Sequence, residues 1–206
     1  MSARHPETQL TQMLTDIALH QPNCAALQSL WAYNMGLLSQ AVVMIERLKL
    51  EANADFNYAQ AVGPHARHII EHYQALLKGL DGLTALNSGA GHRIDYDGRL
   101  RDLALQSQPD VTLASLREIQ GTMRSQCFEN PLSLSLDTSV HTVFQVGLQG
   151  EIDVVTHSTL GRELLFVGSH TVHHFALMAH YCKLAGVDLG ADFGKAPSTV
   201  AFERKH

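Results

Sequence analysis

The stretch "SHTVHHFALMAH", residues 169–180, sets four histidines among Val172, Phe175, Leu177 and Met178. Its surroundings read as a helix. Leu160, Leu164, Val167, Thr171, His174, Met178 and Tyr181 recur at steps of four and three, the spacing of one helical face. Ser158 and Thr159 are natural N-caps, because a hydroxyl oxygen accepts from the free N–H groups of the first turn. Gly186 is a natural stop. On such a helix His170 and His174 lie one turn apart, with Cβ atoms about 5–6 Å from each other. Both imidazoles therefore aim at one point. His173 is rotated about 60° from their midline on a 3.6-residue turn and belongs to the rim. His180 is placed at the surface or rim.

Upstream, a second histidine cluster falls in "GPHARHIIEHYQALLKG", residues 63–79. Pro64 suits a first helical position, where its missing N–H costs nothing. Ile69, Tyr73, Leu76, Leu80 and Leu83 form the apolar stripe. His65, His68 and His72 share one flank of it with Ala61, Ala75 and Gly79, small residues that let a neighbouring helix approach. The helical wheel leaves open which histidine faces the pair on the last helix, and sets His65 and His72 nearer the core than His68.

The first strong helix is "CAALQSLWAYNMGLLSQAVVMIERLKL", residues 24–50, with the stripe Leu30, Asn34, Leu37, Ala41, Ile45 and Leu48. Asn23 reads as its N-cap, after a weakly amphipathic segment that ends at Pro22. A polar, glycine-containing stretch at 86–110 reads as a long crossover with a helical turn or two. A third helix is expected over 112–128. Then the period changes. Leu132, Leu134 and Leu136 alternate with serines, and Phe144, Val146, Leu148, Ile152 and Val154 alternate around Gln149-Gly150, a hairpin signal. The tail from residue 192 reads as loop. The expected architecture is a single all-α domain over 1–206. It is a four-helix bundle with its helical core at about 24–186 and a small β-hairpin insertion at about 131–156, before the last helix.

Composition narrows the function classes. The chain has 206 residues, 45% hydrophobic and 17% charged, with a net charge of −5. That suits a folded globular chain. Without a basic patch, nucleic acid is not an expected partner. No apolar run approaches the roughly 18 residues a membrane span needs, and "MSARHPETQLTQ" shows no signal-peptide core. Cys24, Cys127 and Cys182 are scattered, with no CxxC pair. This points to free thiols in a reducing, cytoplasmic setting.

The unusual number is 13 histidines, seven of them in the two windows. Neutral imidazole is the commonest side-chain metal ligand. Two at this helical spacing can hold one Zn²⁺, Ni²⁺ or Fe²⁺, and a third from the second helix leaves open positions of the catalytic kind. An isolated HxxxH pair is also an ordinary feature of core or rim; the second cluster tips the balance toward metal. No HExxH, GxSxG, P-loop or GxGxxG motif is present. Nothing in the sequence positions Glu71 or Glu163 as a base, and Ser169 and Cys182 read as helix packing.

With these two histidine segments, and with "IDYDGRLRD" and "DFGKAPST", the chain resembles the DinB-like (DinB/YfiT) superfamily of metal-binding helical proteins over residues 27–199. The resemblance implies an up-down-down-up helix order and one divalent metal held by three histidines. These match His68, just before "II", and the pair His170 and His174. It implies a metal-dependent enzyme acting on a small-molecule substrate, a thiol S-transferase or a hydrolase, with a low-molecular-weight thiol as co-substrate. The alternative is a non-catalytic or stress-associated metal-binding module. Arg99, Arg101 and Arg162 are candidates for holding a carboxylate, against the plainer role of surface ion pairs. The resemblance and the apolar first helix together allow a homodimer.

Overall fold

A computed structural model describes residues 6–81, 92–128 and 134–205, with side chains from residue 25 onward except those of Cys127 and Phe128. Leu83, Leu132 and the start of the expected crossover lie outside the described residues. So do the side chains of Cys24 and Cys127. The elements run in the order α1 (Pro6–Glu51), α2 (Gly63–Asp81), β1 (His92–Asp95), α3 (Leu103–Ser107), α4 (Pro109–Phe128), β2 (Ser139–Val146), β3 (Ile152–Thr159), α5 (Leu160–Leu184) and α6 (Pro197–Glu203).

The all-α four-helix bundle with a hairpin insertion is therefore not the fold. Among the described residues, six helices accompany a three-stranded mixed sheet of order β1-β2-β3. The added strand, β1, comes from the stretch expected to be crossover. It runs parallel to β2, with His92 opposite Val140 and Asp95 opposite Val143. β2 and β3 are antiparallel, from Ser139 opposite Thr159 to Val146 opposite Ile152. Their turn uses Gly147 and Gly150 at φ +95° and +72°, values that L side chains rarely adopt. Pro22 does not end α1, since one missing N–H removes a single bond from a 46-residue helix. The tail is not all loop, for it contains α6, with Pro197 in its first turn.

The helical stripes meet in one core. α1 packs on α4 and α5, and α2 packs on the same two helices and on β1. Trp31, Leu38, Ile45, Ile69, Leu76 and Met178 are among the fully buried side chains. Each such aliphatic group contributes about 1.5–3 kcal/mol by leaving water. One polar chain crosses this core. Asn34 Nδ2 donates to the carbonyls of Leu30 and Leu164 at 2.8 and 3.1 Å. Tyr73 donates to Asn34 Oδ1 at 2.7 Å, and the Thr171 hydroxyl lies 3.4 Å from the Tyr73 oxygen. The chain ties α1, α2 and α5 together at one level. α5 is capped by the Thr159 hydroxyl, which accepts from Arg162 N. It ends at Gly186 (φ +80°), with Val187 N donating to Cys182 O, a Schellman-type termination.

The small flank of α2 receives α5 at its histidines and a strand at Gly79. A Cβ on Gly79 would lie 2.8 Å from Arg93 O and 2.7 Å from a side-chain carbon of Ile94. Only the missing side chain lets β1 approach so closely. After β1 the chain turns sharply. Asp95 Oδ1 accepts from Asp97 N and Gly98 N at 3.1 and 2.7 Å. Asp97 Oδ2 accepts from Gln145 N at 2.8 Å. This turn, fastened to β2, carries Arg99 back onto α2.

Candidate metal centre

His68 on α2 and His170 and His174 on α5 come together. One ring nitrogen from each lies within 4.8 Å of the others. Nε2 of His170 is 2.9 Å from Nε2 of His68 and 3.3 Å from Nε2 of His174. Two donors each about 2.0–2.1 Å from a common ion, at angles of about 90–109°, lie about 2.8–3.4 Å apart. Both Nε2 spacings measured from His170 fall in that range, and the three donors lie within 4.8 Å of one another, so these residues could hold a divalent ion. Three imidazoles, with no fourth donor grouped with them among the described residues, leave room for water or another ligand. All three are half-buried.

The surrounding histidines play other parts. Nδ1 of His65 is 3.0 Å from Nδ1 of His174. If His174 presents Nε2 to an ion, its Nδ1–H donates to His65, the outer hydrogen bond that orients ligating histidines. His72, only 6% exposed, uses its Nδ1–H on the His68 carbonyl at 2.7 Å. His173 and His180 are exposed. Phe166 stacks near His170 with ring centroids 5.7 Å apart, and Tyr96 lies 5.5 Å from His72. These rings wall one side of the cluster.

Arg99 is the residue that sequence reasoning undervalued. It is only 12% exposed. Its Nη1 lies 2.6 Å from Nδ1 of His68. A guanidinium only donates, so His68 Nδ1 is an acceptor here, and the neutral ring carries its proton on Nε2. The nearest carboxylates, Glu71 and Asp97, stand 3.9 and 4.0 Å away. Arg101 and Arg162 do not reach the cluster. Arg101 is exposed at φ 51°, and Arg162 lies over the Phe166 ring at 5.3 Å. No short motif announces the Arg99 contact, which depends on the 95–99 turn.

Electrostatics keep the imidazoles neutral, the form that binds metal. Burial, followed by repulsion from His72 and Arg99, pushes His68 down to about 2. Burial, with neighbouring His170 and His65, pushes His174 down to about 3. His170 and His65 are also lowered, chiefly by burial. Burial takes His72 down to about 4, partly opposed by its bond to the His68 carbonyl.

The other candidates are structural. Glu163 is 1% exposed and accepts from Tyr96 and Ser158 hydroxyls at 2.8 and 2.5 Å. Glu71 accepts from Asp102 N at 3.0 Å. Cys182 is buried, and burial raises its thiol to about 11, away from nucleophilic form. Ser169 is exposed on α5.

No family model matches the chain, and no solved structure matches it. Among curated proteins it is similar to FK506-binding protein 5 of Rhizopus delemar, 26% identical over 171 residues, 83% of this chain and 37% of that protein. The chain thus spans little more than a third of the length of that relative. No helix among the described residues is long and apolar enough to cross a membrane.

Proposed function

We propose that this chain binds one divalent metal ion through His68, His170 and His174 and is a metal-dependent enzyme of the thiol S-transferase or hydrolase type. The observation that carries the reading is the convergence of three imidazoles from two helices, with Nε2 of His68 and of His174 both at ligand-to-ligand spacing from Nε2 of His170. The resemblance to DinB-like proteins supports the same three ligands. A divalent ion held this way supplies Lewis acidity and lowers the pKa of a bound water or thiol toward neutrality.

The chain's own residues supply the rest. His65 fixes the orientation of His174. Phe166 and Tyr96 exclude water from one side. Arg99 places a positive charge beside the cluster, suited to a substrate or thiol bearing a carboxylate. Zinc, nickel and iron all suit imidazole donors. A small-molecule substrate with a low-molecular-weight thiol is the partner set we favour, in a cytoplasmic protein. The open coordination positions favour this over a non-catalytic metal-binding or stress-associated module, since closed four-ligand sites mark structural metals.

Elemental analysis of untagged protein tests the reading. About one metal per chain, lost in His68→Ala, His170→Ala and His174→Ala, supports it and justifies assays of thiol transfer. Wild-type protein that stays empty after incubation with zinc and nickel overturns it.

A further inference from the structure

A second feature sits on the far side of Arg99. A cavity of about 270 Å³ opens between α2 and the turn after β1, lined by Glu71, Lys78, Arg93, Asp95 and Arg99 among others. Its charges do not balance. Asp95 is occupied by two backbone N–H groups of its own turn. Glu71 is taken up by Asp102 N and stands 3.9 Å from both Arg67 and Arg99. Lys78 and Arg93 are exposed and meet no carboxylate within ion-pair distance among the described residues. The Nε of Arg99 is buried with no hydrogen-bond partner. Three cations therefore face a small cavity whose two acids are engaged elsewhere. A desolvated guanidinium whose nearest carboxylates, Glu71 and Asp97, stand at 3.9 and 4.0 Å, beyond hydrogen-bond reach, keeps donors free for an oxyanion.

The same Arg99 bears on the metal ligand. While Nη1 donates to His68 Nδ1, the proton of the neutral ring sits on Nε2, the atom that must offer a lone pair to an ion. Metal uptake requires that proton to leave Nε2 and Nδ1 to become the protonated nitrogen. That places an N–H against a guanidinium N–H, and sets a dication held by neutral ligands beside a cation. An anion in the cavity offers Arg99 another partner and supplies the missing negative charge.

We infer that this cavity binds a small oxyanion, a carboxylate, phosphate or sulfate group, and that the anion and the metal bind cooperatively because each draws Arg99 away from His68. The anion site stands on the cavity alone. The coupling rests on the three-histidine metal reading. Because linkage is reciprocal, the metal tightens the anion by the same factor.

Sulfate is the probe. Calorimetric titration into metal-free protein should show one site, lost in the double variant Lys78→Met/Arg93→Met, whose exposed positions leave folding intact by circular dichroism. Cobalt(II) titration, read by visible absorption, should then give about tenfold tighter binding in sulfate than in chloride at equal ionic strength, a typical coupling. Arg99→Met should bind cobalt equally in both buffers, and Lys78→Met/Arg93→Met should lose the sulfate effect while keeping the chloride affinity. Absence of sulfate binding, or sulfate binding unchanged in the double variant, overturns the anion site. Equal cobalt affinity in both buffers for wild type overturns the coupling. Sulfate binding without any cobalt uptake overturns the metal reading and the coupling and leaves the anion site supported. A small phosphomonoester that binds more tightly than sulfate would assign the site to part of an organic ligand, and equal binding would assign it to the free ion.

Discussion

Arg99 Nη1 and His68 Nδ1 stand 2.6 Å apart, and only the guanidinium has a proton to give. The contact dictates the tautomer of His68 in metal-free protein. Long-range ¹⁵N–¹H correlation spectra should show Nδ1 of His68 as the unprotonated nitrogen and Nε2 as the protonated one. Addition of zinc should reverse the pair. A metal-free spectrum with the proton on Nδ1 would contradict the hydrogen bond.

His65 approaches His174 at the nitrogen facing away from His170, at 3.0 Å. Removing such an outer partner costs about 10–100-fold in metal affinity. His65→Ala should weaken zinc binding by that factor and leave one site per chain. His173→Ala, at an exposed position, should change it little. Competition with a chromogenic chelator measures both.

Acid should destabilise the metal-free protein. His68, His174 and His72 are held down to about 2, 3 and 4 in the folded chain, whereas the unfolded chain titrates at about 6.5. Below pH 6.5 the unfolded state takes up protons that the folded state refuses. Stability is therefore full above about 6.5 and falls as pH drops toward the folded values. Half-exposure of His68 and His174 screens part of the effect, so a slope of about one proton, about 1.4 kcal/mol per pH unit, is expected. Urea midpoints between pH 7.5 and 5 check this. A midpoint that stayed flat or rose would show that the imidazoles titrate freely in the folded state.

The Asn34 network makes a separate demand. Asn34→Ala leaves the Tyr73 hydroxyl without its acceptor and takes from the Leu164 carbonyl a second donor, beyond the one supplied by its own helix. Buried groups left unpaired cost about 1–3 kcal/mol each. The variant should lose about 1–3 kcal/mol in urea unfolding, on that same scale. Tyr73→Phe, which removes only the donor, should lose less.

Gly79→Ala should cost about 1–3 kcal/mol, the range for overpacking, because its methyl group meets the backbone of β1. The strand leads into the turn that holds Arg99. The same variant should therefore disturb the His68 ¹⁵N shifts, a readout that lost stability alone would not move.

Much of this architecture is written in local pattern. The stripes of α2 and α5 were legible because Ile69, Tyr73, Leu76 and Leu80, and Leu160, Leu164, Val167 and Met178, are buried at helical spacing. The hairpin of β2 and β3 was legible from alternation around Gly150. β1 was not, since four residues with one fully buried side chain, Ile94, carry no period, and its partner lies far along the chain. That single strand changes the fold class. Among the α2 histidines, a helical wheel ranks depth, and His72 is indeed the deepest. It does not rank reach. Half-buried His68 is the one whose Nε2 meets Nε2 of His170, while His65 reaches only the outer nitrogen of His174 and His72 folds back onto the His68 carbonyl. Arg99 was visible only as a charge, because its approach to His68 is set by a turn that Asp95 closes locally and that Asp97 fastens to the distant backbone of Gln145.

The parallel pairing of β1 with β2 also sets an order of events in synthesis. His92 cannot meet Val140 until α3 and α4 have been made, and contacts so distant in sequence are slow to close. His68 must wait longer still, for a partner 102 residues on. Until α5 is made, His68 lacks both of the partners with which it would share an ion. On the proposed metal reading, tight capture begins when α5 has emerged and docked, so bound metal would mark a chain whose α2 and α5 have already met.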